Sequence, residues 1–293
     1  QVVGFDECLM AMAEMAHGLN GYTGYMVSSE EVIAGPGYNY STAFRVLEQN
    51  PNATADQLAS GMVSSYQTQY AGQSADTLSA IRMGTQTTAL MTALNAFTAA
   101  YAAGFSSAVR DAISRARNAA TSFSSSPDFR DLGQWMNGIA SNTAIPQAIR
   151  TAATNVKNAL SSAVLAKTSD RRSTTGLSIY APAAGGSISS SYINQYSSFF
   201  TATGWRSFLE SFVGGSAPRS IPEDFTGRNQ SPGEAFDLRT IVGAGNQFTQ
   251  LSLDPLATGS TQSDWFQFGL AGTGTASDRV VVTLASGSGA ARV

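Results

Sequence analysis

The sequence predicts an α/β domain built on a mostly parallel sheet flanked by helices, followed by the opening strands of an antiparallel β-sandwich. Three observations predict it. Short apolar runs closed by acidic or turn residues recur at 2–5, 25–29, 77–81 and 176–182. Between them, large apolar residues recur every three or four positions, the spacing of one helix face. Beyond residue 233 the period shortens to two, the period of a strand. Strands alternating with helices favour parallel layering. The predicted boundaries are residues 1–213 for the α/β unit, a Gly-, Pro- and charge-rich linker over 214–233, and an incomplete β module over 234–293.

The first run, Val2-Val3-Gly4-Phe5, carries no charge and reads as a strand buried on both faces. It ends in Asp6, Glu7 and Cys8. From there Leu9, Met12, Ala13, Ala16 and Leu19 have helical spacing. Cys8 is therefore expected where a strand feeds a helix N-terminus, with unpaired N–H groups and the positive dipole end nearby. That setting favours the thiolate, the form that attacks carbonyls. The plain alternative is a lone cysteine that only packs.

Gly18 and Asn20-Gly21 turn the chain into a second strand, Tyr25 to Ser29, which closes on Glu30-Glu31. Gly35-Pro36-Gly37, followed by Tyr38 and Tyr40, forms a loop placed to wall a substrate site. The stretch from Asn50 to Thr54 ends one helix and caps another, whose stripe is Leu58, Met62, Val63 and Tyr66. A third strand covers Thr77 to Ile81. Residues 84–166 read as Ala-rich helix, broken at Ser124 to Pro127 and near Pro146. The span between Arg82 and Arg110 has no charge, but Leu90, Leu94, Phe97, Tyr101 and Phe105 mark one face. That is a core helix, since a membrane span is apolar all round. Gly176 to Pro182 is a strand closed by proline, and a helical segment from Tyr192 to Phe212 finishes the unit. After the linker come short strands around Phe248 to Leu253, Asp264 to Leu270 and Arg279 to Leu284, too few to close a sandwich.

Composition narrows the function. Charged residues make up 13% of the chain and the net charge is −3, so there is no basic surface for nucleic acid and no acidic tail. Ser, Thr, Asn, Gln and Gly carry the solubility instead, which fits a secreted or cell-surface bacterial protein. A single cysteine excludes an internal disulfide framework and a cysteine-based zinc site. No metal or cofactor ligand set is visible, and no Asp-rich loop has calcium-binding spacing. Gln1 opens directly into a strand, so the sequence is expected to be a piece of a longer chain with an upstream segment.

Four motifs then acquire a joint meaning: Gly4-Phe5-Asp6-Glu7-Cys8-Leu9-Met10-Ala11-Met12, Tyr25-Met26-Val27-Ser28-Ser29-Glu30-Glu31, Thr77-Leu78-Ser79-Ala80-Ile81 and Gly176-Leu177-Ser178-Ile179-Tyr180-Ala181-Pro182. In this order and spacing they resemble the clostripain family of caspase-like (clan CD) cysteine peptidases, over residues 1 to about 213. The stretch from Ala235 to Leu284 resembles, more loosely, the pre-peptidase C-terminal β-sandwich of secreted bacterial peptidases. The resemblance implies a caspase-like fold and a peptidase acting on protein or peptide substrates after Arg, with Lys as the alternative. It implies Cys8 as nucleophile and a histidine on the upstream segment as its base. It implies Asp6 as an acid of the pocket that receives the basic side chain. His17, the only histidine of the chain, lies too far along the helix to serve and reads as a surface or half-buried residue. Two departures stand out. Glu7 replaces a small residue and opposes thiolate formation beside it. Pro36 stands where the family often has a second acid, for which Glu30 or Glu31 offers a substitute. Those departures keep a second expectation open, a non-catalytic relative serving binding or cell-surface assembly.

Overall fold

The computed structural model describes residues 1–215, apart from 74–75, 124–125 and 171, together with two strands further on, Phe236–Ile241 and Phe266–Leu270. The chain divides into two units, Gln1–Pro218 and Arg219–Val293.

In the first unit, β1 (Val2–Gly4) leads through a bend into the short helix α1 (Ala13–Leu19) and then β2 (Tyr25–Ser28). Two short helices follow, α2 (Tyr40–Ala43) and α3 (Arg45–Gln49), before the long α4 (Ala55–Tyr70). Thr54 caps α4 reciprocally: its hydroxyl accepts from Gln57 N at 3.3 Å, and the Gln57 carboxamide accepts from Thr54 N at 2.9 Å. Met62, Val63 and Tyr66 are buried along the expected stripe. Strand β3 (Ser79–Arg82) leads into α5 (Thr85–Ala103), which buries Leu90, Leu94, Phe97 and Tyr101 on one face. No helix among the described residues is long and apolar enough to cross a membrane.

Beyond α5 come α6 (Ser107–Ala119), β4 (Ser122–Phe123), β5 (Ser126–Asp131), α7 (Leu132–Ser141), α8 (Gln147–Ala163), β6 (Val164–Lys167) and β7 (Ser178–Tyr180). Helices α9 (Ser190–Gln195), α10 (Ser197–Thr203) and α11 (Trp205–Gly214) close the unit. They deliver Phe199, Trp205, Phe208 and Phe212 to a core that also holds Trp135, Phe97 and Tyr101. Each such side chain contributes about 2–3 kcal/mol on burial. The buried indoles are satisfied as well: Trp205 donates to Tyr180 O at 2.8 Å and Trp135 to Ile113 O at 3.2 Å.

The main sheet has the order β1-β2-β3-β6. Along β2 and β3 the side chains alternate between two cores. Met26 and Ile81 face the large aromatic core, whereas Val27 and Ala80 face the cluster beneath α4. The fold is thus layered α/β as the sequence predicts, but the strand directions correct the expectation of a mostly parallel sheet. β1 and β2 are parallel, while β2–β3 and β3–β6 are antiparallel.

The cause is an extra pass of chain. Thr42 bonds Ser65 and Val46 abuts Gly61, so α2 and α3 run back alongside α4. Helix α4 then starts near the beginning of β2, where Tyr25 bonds Asp56, and ends near the loop beyond β2, where Tyr70 bonds Gly37 O. β3 must therefore return the other way. A second sheet, β4-β5-β7, is antiparallel throughout.

In the second unit, β8 (Phe236–Ile241) and β9 (Phe266–Leu270) pair in parallel, with Phe236 opposite Phe266. This corrects the antiparallel pairing expected from alternation, which fixes which residues share a face but not the direction of the neighbour. The linker from residue 216 on and the strands expected around 248–253 and 279–284 lie outside the described residues.

Candidate active site

Because β1 and β2 are parallel, both deliver their C-terminal ends to one sheet edge, the usual place for a site in an α/β fold. Phe5 N still bonds Val27 O at 2.9 Å, continuing the parallel pair. The chain then bends at Glu7 to Leu9 and reverses. Leu9 N bonds Glu31 O at 3.1 Å, and Ala11 N bonds Ser29 O at 2.9 Å. Cys8 sits at the apex of this reversal, half-buried, with Leu9 held at a φ of 62°. A leucine in the left-handed region costs roughly 1–2 kcal/mol, a strain that persists only because the flanking bonds impose it.

The position of Cys8 corrects the expectation of a helix N-terminus. Helix α1 begins at Ala13, with Met12 at its N-cap, so the thiol lies five residues ahead of it. The donor that faces the sulfur comes from elsewhere: Ile33 N–H points at Cys8 Sγ across 3.4 Å.

Asp6 is exposed at this edge and held in a cradle. Tyr38 N–H donates to both carboxylate oxygens at 3.2 Å, and Tyr40 O–H donates to Oδ2 at 2.7 Å. Gly37, at a φ of 68°, presses its backbone against the same carboxylate, and a Cβ there would overlap it. The loop that forms the cradle is itself pinned. Ala34 N donates to Tyr66 Oη at 3.1 Å, Tyr70 O–H to Gly37 O at 2.7 Å, and Tyr38 O–H to Phe5 O at 2.7 Å. Glu7 is exposed beside the thiol, and Val32, Tyr40 and Phe44 expose apolar surface nearby in sequence.

Glu30 and Glu31, expected as substitutes for the second pocket acid, are buried rather than exposed on this edge. Glu30 is 2% exposed, and its Oε2 accepts from Gly176 N at 3.0 Å. Burial and the neighbouring Asp131 push its carboxyl well above the usual range. Asp131 is raised by burial too, but it accepts from Gln134 N at 2.7 Å, Thr175 Oγ1 at 2.6 Å and Thr175 N at 2.5 Å. Those donors favour the ionised form of Asp131, so Glu30 keeps the proton. Glu31, itself buried, pairs with the partly exposed Arg172 at 2.6 Å and accepts from Val32 N at 2.9 Å. Arg172 also stacks over the Phe123 ring at 5.5 Å.

Together these acids clamp the loop 170–176, whose own Asp170 bonds Arg172 N at 2.9 Å and Thr174 Oγ1 at 2.8 Å. Sequence reasoning passed over Asp131 and Asp170. The Asp-x-x-Gln of Asp131 and Gln134 is a helix-cap signature that marks the first of them. His17 is half-buried edge-on against Phe199 at 6.0 Å, its pKa lowered by burial.

A layered α/β domain with a half-buried thiol on a strained bend at the sheet edge, and an acid two residues before it, has the build of a caspase-like cysteine-peptidase domain. Residues 1–212 match the profile of the Clostripain family. The chain belongs to that family. No curated protein matches it.

Among solved structures, the chain is similar to a secreted C11 cysteine protease from Bacteroides thetaiotaomicron in complex with an irreversible peptide inhibitor. The two are 21% identical with a TM-score of 0.50, over 70% of this chain and 59% of that one. It is also similar to the secreted C11 cysteine protease "iotapain" of the same organism, at 16% identity and a TM-score of 0.51, over 69% of this chain and 55% of that one. The chain thus spans less than two thirds of either structure, and at these identities the likeness shows the fold.

Proposed function

We propose that this chain supplies the nucleophile and the specificity acid of a secreted cysteine endopeptidase that cleaves after Arg, with Lys as the alternative. The observation that carries the reading is Cys8 Sγ on the bend at the β1–β2 edge, facing the Ile33 amide, with the exposed Asp6 carboxylate on the same edge. In this reading Asp6 attracts the basic side chain that precedes the scissile bond. A histidine takes the thiol proton as Sγ attacks the carbonyl carbon. The C–N bond breaks, the histidine returns that proton to the leaving amine, and a thioester remains. Water then attacks the thioester, giving a carboxylic acid and the free thiol.

We place that histidine on a segment preceding Gln1. The reading is supported by the outer edge of β1, which has no strand partner among the described residues and adjoins the bend that carries Cys8. Secretion is supported by the low charge and by the similar proteases described as secreted. The test is cleavage of a fluorogenic Arg peptide by the full-length protein and its Cys8→Ala variant. Turnover is expected to vanish in the variant, and survival of cleavage there overturns the assignment.

A second reading, a non-catalytic relative that binds peptides or assembles at the cell surface, is favoured by the exposed Glu7 beside the thiol and by Pro36. It predicts that a thiol-directed probe still labels Cys8 while no peptide is turned over.

A further inference from the structure

The cradle around Asp6 restricts what that carboxylate can grip. A carboxylate offers about four lone-pair directions, two syn between its oxygens and two anti outside them. Tyr38 N lies 3.2 Å from Oδ1 and 3.2 Å from Oδ2, so it occupies the space between the oxygens. A guanidinium that binds a carboxylate as a fork needs that same space for its two parallel N–H donors. Tyr40 O–H takes a further direction on Oδ2 at 2.7 Å, and the Gly37 backbone covers part of the group, its ideal Cβ position falling 2.8 Å from Cγ. The outer lone pair of Oδ1 is what the described neighbours leave open, and it admits one donor.

We infer that Asp6 is a single-point acceptor and that Tyr40 is the positioning residue that keeps it so, giving a pocket that takes Lys on a footing close to Arg. This rests on the proposed peptidase reading. A lysine ammonium is a compact point charge that one oxygen satisfies, whereas arginine loses the advantage of its planar fork. Tyr40 is the lever because it is the second of two donors that fix the carboxylate plane. Tyr40 is 55% exposed, so losing its hydroxyl does not open the core. Without it the Asp6 side chain is held by one amide alone and is free to turn both oxygens toward the pocket.

The test compares kcat/KM for a matched pair of fluorogenic peptides, one with Arg and one with Lys before the scissile bond, on the full-length protein and its Tyr40→Phe and Asp6→Asn variants. The wild-type protein is expected to cleave the two within about tenfold of each other, and Tyr40→Phe to raise the Arg-to-Lys ratio by about fivefold or more. A purely structural role for Tyr40 lowers both rates together and leaves the ratio fixed. Asp6→Asn is expected to depress both substrates. If Asp6→Asn abolishes basic cleavage but the wild-type protein is strict for Arg, or if Tyr40→Phe leaves the ratio unmoved, this inference falls while the peptidase reading stands. If neither peptide is cleaved, or Asp6→Asn changes nothing, the failure lies in the peptidase reading or in the role of Asp6, and this inference goes with it.

Discussion

Two sets of carboxylates sit close together in sequence and live by different rules. Asp6 and Glu7 lie at the end of β1 in solvent, and the donors around Asp6 leave it room for one more. Glu30 and Glu31, at the end of the neighbouring strand, are sealed with Asp131 against the loop 170–176. A buried acid left without a partner costs several kcal/mol, and the inner set finds partners in that loop: Gly176 N for Glu30, Arg172 for Glu31 and Thr175 for Asp131. An exposed acid pays no such cost and keeps a lone pair for a ligand. Neighbouring acids in a sequence therefore say little about function until burial separates them.

The comparison predicts which residues uncouple activity from stability. The largest effect falls on the open edge. Cys8→Ala is expected to lower peptide turnover by at least about a thousandfold, since no other thiol exists in the chain. The midpoint of thermal unfolding should move by no more than about 2 °C, because the side chain is half-buried and small. A large fall in midpoint would place the thiol among the structural groups instead.

Next comes the inner set. Asp131→Ala removes the acceptor of Gln134 N, Thr175 N and Thr175 Oγ1 in one step. It should destabilise the domain by about 3–5 kcal/mol, measured by urea unfolding. A loss under about 1 kcal/mol would show that the clamp is not what holds the loop.

Glu14 is another buried acid and, like Glu30, has a partner at only one of its oxygens. Its Oε1 accepts from Tyr180 N at 2.9 Å, while its Oε2 is buried without a hydrogen-bond partner. Burial pushes its pKa up to about 7 from 4.5. The unfolded chain thus releases this proton near pH 4.5 and the folded one holds it to about 7. The stability Glu14 contributes is complete below about pH 4.5 and is lost as the pH rises through 7, by roughly 3 kcal/mol in all. Glu14→Gln keeps a carbonyl acceptor for Tyr180 and carries no charge. Its unfolding free energy relative to wild type should therefore rise between pH 5 and pH 8. A difference that stays flat would mean that Glu14 ionises in the folded protein as it does in water.

How far all this can be read from sequence depends on the range of the interactions. The cap at Thr54 and the stripes of α4 and α5 are local, and both were legible. So was the end of β1, where an apolar run meets Asp6 and Cys8. The helix expected at Cys8 was not, because Leu9, Met12 and Ala13 have the spacing of a helical face, whereas the backbone of Leu9 and Ala11 is held by Glu31 and Ser29, about twenty residues on. Strands β5 and β6 escaped for a similar reason. The first straddles the break at Ser124 to Pro127 and the helix expected after it, and Val164 to Lys167 continue the composition of α8, so only distant partners declare them strands. The burial of Glu30 and Glu31 depends on residues about 140 positions away, such as Arg172 and Gly176. No local pattern encodes that.

The smallest effect is the one that separates the two sets most cleanly. Asp6→Asn keeps a carbonyl oxygen for Tyr38 N–H and loses only the charge and one of two acceptors, at an exposed position. Tyr40, the other donor, reaches water once its partner is weakened, since it is itself exposed. Neither change strands a buried polar group, so the desolvation penalty that makes Asp131 costly does not arise. The expected loss is under about 1 kcal/mol, read from the same urea titration used for Asp131. If Asp6→Asn instead unfolds the protein as readily as Asp131→Ala, then the cradle of Gly37, Tyr38 and Tyr40 exists to hold the loop 34–40, and Asp6 belongs with the clamp rather than with the pocket.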